Sequence, residues 1–64
     1  MERLKELRRE LVLSLRELEE RSGVSYNTIW RIEDGRHGAH PRTIRKLAEA
    51  LGVAPSELIH GAGR

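Results

Sequence analysis

The stretch SLRELEERSGVSYNTIWRIEDG, Ser14 to Gly35, holds two short amphipathic runs separated by Ser22 and Gly23. Ser14 followed three residues later by Glu17 has the form of a capping box, in which a hydroxyl and a carboxylate satisfy orphan amides at the start of a helix. That helix is expected over about 15–22, ending at Gly23, where glycine takes the left-handed conformation that other residues resist. Ser25 is the natural N-cap of the next run, expected as a helix over about 26–34 that stops at Gly35.

The second run carries both of the chain's large aromatics, Tyr26 and Trp30. At about 100° per residue from Tyr26, Ile29 and Ile32 fall near 300° and 240°, a narrow apolar stripe suited to a core. Tyr26, Trp30, Asp34, Asn27 and Arg31 fall at about 0°, 40°, 80°, 100° and 140°. An outward face of Trp, Tyr, Asn and Arg offers stacking surface and directional hydrogen bonds, unlike the Lys and Glu that usually serve solubility. Such a face is suited to contact with a partner.

Helical periodicity extends on both sides, and nothing alternates like a strand. A first helix is expected from about Glu2 to Leu11, with Leu4, Leu7 and Leu11 on its inner face. Pro41 suits the first position of a fourth helix, where its missing amide hydrogen costs nothing; Ile44, Leu47, Ala48 and Leu51 form its inner face and Gly52 ends it. Pro55 opens a last short helix carrying Leu58 and Ile59. Its preceding residue, Ala54, is a poor cap, so this helix is expected to be the least secure. The tail HGAGR is expected to fray. The fold class is therefore all-α, five helices in a single domain over residues 1–64.

At 64 residues the chain is close to the lower limit for a core held by apolar burial alone. It has no cysteine, which removes disulfides, thiolate metal sites and thiol nucleophiles and fits a reducing compartment. No apolar run approaches a membrane span, and MERLKELRRE is too charged for a secretory signal, so a cytoplasmic location is expected. The formal net charge is only +2, but its distribution is uneven. From Arg31 to Lys46 the basic residues Arg31, Arg36, Arg42, Arg45 and Lys46 face only Glu33 and Asp34, a local patch suited to a polyanion, although charge alone favours an ordinary solvated surface.

Two helices joined by a short glycine-containing turn, the second bearing the outward face, form an arrangement that fits a DNA major groove. From about Leu4 to Ile59 the chain resembles the Cro and phage-repressor type of helix-turn-helix domain, the XRE family. SLREL, SGVSYNTIWRIEDG and PRTIRKLAEALGV occur in order at the family's spacing. The resemblance implies a lambda-repressor-like five-helix fold with the third helix as the recognition helix. By that similarity Tyr26, Asn27, Trp30 and Arg31 lie at base-reading positions. The chemistry agrees, since arginine matches guanine O6 and N7 and asparagine matches adenine N6 and N7. Tyr26 suits a thymine methyl or a phosphate. Trp30 stands where the family often has a small polar residue, and either packs against thymine methyls and sugars or tucks against a neighbouring helix.

The resemblance also implies phosphate contacts from Ser14 and Arg16 on one flank and from Arg36, His37, Arg42 and Thr43 on the other, where helix N-termini meet phosphate oxygens. Arg8 and Glu33 match a pair that family members use as a structural ion pair beneath the recognition helix. Two departures stand out. Leu15 replaces a common phosphate-contacting glutamine, and Glu19 stands where alanine is usual, so its carboxylate is expected to turn outward to solvent, Arg16 or Arg21.

A protein-interaction surface centred on Tyr26 and Trp30 is the competing reading, disfavoured by the small apolar area and the basic flank. Catalysis is not expected. His37 and His40 lie in a loop and His60 in the tail, with no cysteine or acidic ligand beside them, so neither a metal nor another cofactor is expected. The sequence reading is thus a double-stranded DNA binder acting in transcription regulation at the nucleoid, natural or engineered. No small-molecule ligand and no membrane partner are expected, and both a weak homodimer on DNA and a monomer are compatible with it.

Overall fold

Five helices follow one another among the described residues: α1 (Glu2–Glu10), α2 (Leu15–Ser22), α3 (Tyr26–Glu33), α4 (Pro41–Leu51) and α5 (Pro55–His60). The computed structural model describes residues 1–35 and 38–60, and no strand occurs among them. The tail from Gly61 onward lies outside this range.

The helix boundaries follow from local chemistry. Ser14 and Glu17 close the capping box in both directions: the Glu17 amide donates to Ser14 Oγ at 3.0 Å, and the Ser14 amide donates to Glu17 Oε1 at 2.8 Å. At the other end of α2, Gly23 has φ 79°, and a Cβ built there would meet nothing within 4 Å. The glycine therefore serves backbone conformation rather than close approach. Ser25 caps α3 by accepting from the Thr28 amide at 3.2 Å. This helix is one residue shorter than its sequence pattern suggests, with Asp34 as its C-cap.

One expectation fails at the end of α1. Leu11 does not extend the helix or its inner face; it is the C-cap and stands half exposed, while Leu13 is buried in its stead. The reason is the turn that follows. The Leu13 amide donates to the Arg8 carbonyl and the Val12 amide to the Arg9 carbonyl, both at 3.0 Å, which is the hydrogen-bond pattern of a Schellman motif. The motif requires a left-handed residue after the C-cap, and here Val12 fills that place with φ 55°. Its β-branched side chain, 84% exposed, gains no packing to offset the strain.

The core draws on every helix: Leu4 and Leu7 from α1, Leu18 from α2, Ile29 and Ile32 from α3, Ile44, Leu47, Ala48 and Leu51 from α4, and Leu58 from α5. Leu13 and Val24 enter from the turns on either side of α2. Helix α2 packs on α3 and α4, while α1 packs on α3 and α5. Despite its poor cap, α5 is held by Leu58 in the core and by Arg3, whose Nε lies 3.6 Å from Glu57 Oε1.

Beneath α3 lies a two-bond ion pair. Arg8 Nε donates to Glu33 Oε2 at 2.6 Å and Arg8 Nη2 to Glu33 Oε1 at 3.0 Å. The remaining Nη1 donates to the Leu13 carbonyl at 2.8 Å, so one side chain of α1 holds both the Schellman turn and the end of α3. The side chains are only 14% and 4% accessible. Hydrogen bonding to Glu33 raises the Arg8 pKa above its already high ordinary value, outweighing burial, and the guanidinium stays charged.

Two stability outcomes follow. Replacing Val12 with glycine or asparagine relieves the left-handed strain and should stabilise the fold by about 1 kcal/mol, or roughly 4 to 8 °C in thermal midpoint. An unchanged midpoint would show that Val12 carries no strain. Arg8→Ala leaves the Glu33 carboxylate shielded and unpaired, so thermal melting should show a loss of about 3 to 5 kcal/mol. A loss no larger than that of an exposed arginine would mean the pair is not structural.

Candidate nucleic-acid interface

Burial divides α3 into two faces. Ile29 and Ile32 are inside, at 0% and 2% exposure, whereas Tyr26, Asn27, Thr28, Trp30 and Arg31 are exposed. With Ser25 capping one end and Glu33 held by Arg8 at the other, the helix is fixed along its length. Its outward side offers the hydrogen-bond donors of Arg31, the carboxamide of Asn27 and two rings that are 42% and 45% exposed.

The two rings have different surroundings. Arg16, from the first turn of α2, has its guanidinium carbon 4.3 Å from the centroid of the Tyr26 ring, a cation–π contact. Trp30 instead borders a recess lined by Lys5, Arg8 and Arg9 of α1 together with Glu33 and Asp34. The indole is thus both partly open to solvent and beside a neighbouring helix, so the two alternatives left by the sequence are not exclusive.

The flanking residues are placed as follows. Ser14 is exposed at the N-cap of α2, although its amide and its hydroxyl oxygen are already engaged with Glu17. Arg16 is exposed beside it. The Ser14 amide and then its hydroxyl hold the Glu17 carboxyl below its ordinary pKa, so this turn carries a carboxylate next to the Arg16 cation. Across the molecule, α4 begins with His40 as N-cap, which makes no side-chain capping bond, followed by Pro41, an exposed Arg42 and a half-buried Thr43. Arg42 and Arg45 line a shallow hollow with His40, Pro41 and Thr43, and a second one towards α5 with Lys46 and Val53. Arg36 and His37 lie outside the described residues.

Sequence reasoning missed two features. The stack of Arg16 on Tyr26 joins residues from separate helices, and no local periodicity signals it. Lys5 and Arg9 carry no local signal in α1; only the packing of α1 on α3 brings them beside Trp30. No group of three or more His, Cys, Asp or Glu side chains able to hold a metal ion occurs among the described residues. No described helix is long and apolar enough to cross a membrane.

Residues 2–60 match the family model of a helix-turn-helix domain. The chain is 46% identical over 63 residues to the HTH-type transcriptional repressor RghR of Bacillus subtilis (strain 168), covering 97% of this chain and 47% of that protein. It is 43% identical over 63 residues to the uncharacterized HTH-type transcriptional regulator RghRB of the same organism, covering 97% and 45%. A similar likeness, 43% over 53 residues, links it to the uncharacterized HTH-type transcriptional regulator y4dJ of Sinorhizobium fredii (strain NBRC 101917 / NGR234), covering 83% and 69%. The chain therefore spans less than half the length of the first two relatives. No solved structure is significantly similar to it.

The capping carboxylate gives this surface a pH dependence. A glutamate whose pKa is lowered by folding contributes stability above its unfolded value, about 4.3, and loses that contribution as pH falls through the folded value. Glu17→Gln keeps an acceptor for the Ser14 amide but cannot titrate. The difference in thermal midpoint between wild type and Glu17→Gln should therefore shrink from pH 6 to pH 3, and a constant difference would show that the charge plays no part.

Proposed function

The chain belongs to the helix-turn-helix domain family, and on that premise we propose that it regulates transcription by binding double-stranded DNA sequence-specifically, with α3 in the major groove. The observation that carries this reading is the division of α3: buried isoleucines and a shielded ion pair hold one side, while Asn27 and Arg31 stand exposed on the other. An eight-residue helix held this rigidly meets base edges without paying for much reorganisation.

In this reading Arg31 donates two parallel hydrogen bonds to guanine O6 and N7, and Asn27 matches adenine N6 and N7. Tyr26 and Trp30 add ring surface beside these readers. Phosphates are met on one flank by Arg16; Ser14, whose amide and hydroxyl already serve Glu17, is assigned to that flank from sequence alone. On the other they are met by Arg42, Thr43 and the first-turn amides of α4, which no side chain caps. Arg36 and His37 are assigned to the same flank from sequence alone. The chain acts by binding, without a catalytic step, cofactor or small-molecule ligand, and its target puts it at the nucleoid. The similarity to a repressor supports regulation of transcription, with duplex DNA as partner, bound by a monomer or by a weak homodimer.

Selection of bound duplexes from a random pool supplies the preferred site, and mass measurement of the complex gives the number of chains on it. Arg31→Ala should lose about 1 to 3 kcal/mol on the preferred duplex and relax its preference at one base pair. Arg42→Ala should weaken preferred and scrambled duplexes nearly equally and reduce the salt slope by about one. Equal losses on both duplexes for Arg31→Ala would defeat the assignment of α3 as the reader.

A further inference from the structure

Arg16 is the second residue of α2 and Tyr26 the first of α3, so their contact joins the opening turns of two successive helices across the Gly23 turn. The 4.3 Å separation is well inside the roughly 6 Å over which an aromatic face attracts a cation. The rest of the first turn of α2 is otherwise engaged: Leu15 packs against the core, and Ser14 and Glu17 bond to one another. Among the described residues Arg16 has no ion-pair partner, so its charge is available to an incoming anion.

An arginine on an open surface spreads over many rotamers, and ordering it on a ligand costs entropy. A ring with only two torsions, anchored on a capped helix, removes part of that cost before the ligand arrives. A guanidinium held over a ring face also keeps its in-plane edge exposed, and all five N–H groups lie along that edge.

We propose that Tyr26 is a positioning residue for Arg16: its ring holds the guanidinium at the seam between α2 and α3, with the N–H edge presented to a backbone phosphate of duplex DNA. The two side chains then act as one anion-binding unit, and the ring of Tyr26 serves the backbone contact rather than a base edge. This rests on the groove-binding reading above.

The test is equilibrium binding of the full chain to the preferred and scrambled duplexes over a range of NaCl concentrations. It compares wild type with Tyr26→Phe, Tyr26→Leu, Arg16→Gln and the Tyr26→Leu/Arg16→Gln double variant, with thermal melting as the control for folding. Tyr26→Leu should weaken binding about two- to five-fold on both duplexes, and Tyr26→Phe should retain wild-type affinity. The double variant should bind no more weakly than Arg16→Gln, because the two residues act through one contact. Arg16→Gln should lower the salt slope by about one. In the free chain, the Arg16 side-chain protons should show an upfield ring-current shift that survives in Tyr26→Phe and vanishes in Tyr26→Leu. The proposal is overturned by additive losses in the double variant, by equal damage from Tyr26→Phe and Tyr26→Leu, or by a Tyr26→Leu loss confined to the preferred duplex. If Arg16→Gln binds like wild type while Arg31→Ala still loses more on the preferred duplex than on the scrambled one, the inference fails and the groove-binding reading stands. If the wild-type chain binds neither duplex, both fail.

Discussion

The shielded pair between Arg8 and Glu33 is the constraint on which the placement of α3 depends. Its carboxylate lies on the last residue of α3 and its guanidinium on α1, so two bonds fix where the C-terminal end of the helix sits. The third arginine donor reaches the Leu13 carbonyl and holds the turn that leads into α2. One side chain therefore sets α1, the entry to α2 and the end of α3 relative to one another. A hydrophobic substitute for the pair could match its contribution to stability, but not its directional hold on three segments.

The rest of α3 is positioned by complementary means. Ile29 and Ile32 seat it against the core, the Ser25 cap fixes its first turn, and α2 and α1 both pack against it. What remains outside differs along the helix. Tyr26 is coupled to α2 through Arg16, Trp30 borders the charges of α1, and Asn27 and Arg31 stand exposed beside them. The exposed face is thus supported by neighbouring helices, which helps it keep its shape.

Much of the fold was legible because its signals are local. A serine three residues before a glutamate, a serine before an amphipathic run, a proline at a helix start and a glycine at a helix end each satisfy or terminate backbone groups within one turn. The end of α1 was not legible for the converse reason: the left-handed residue of its Schellman turn is a valine, so nothing in the sequence marks the reversal, and the leucine period continues one residue too far. At the candidate site the outward face of α3 follows from periodicity. The likeness to a known family pointed to Arg8 and Glu33 as partners, since no period relates residues on separate helices. Contacts that need two helices to be in place, Arg16 on Tyr26 and the recess beside Trp30, are products of packing and have no sequence signature.

The side chains of Asn27 and Arg31 make no hydrogen bond or ion pair to the chain among the described residues, while their neighbours Ile29, Ile32 and Glu33 carry the attachment of the helix. In the groove-binding reading proposed above, retention of the fold and choice of target fall on different side chains of one eight-residue helix. Duplicated copies could diverge in the sites they occupy through a few exchanges at solvent-facing positions, with little penalty in folding at each step. The same separation makes the helix a natural place to install new selectivity.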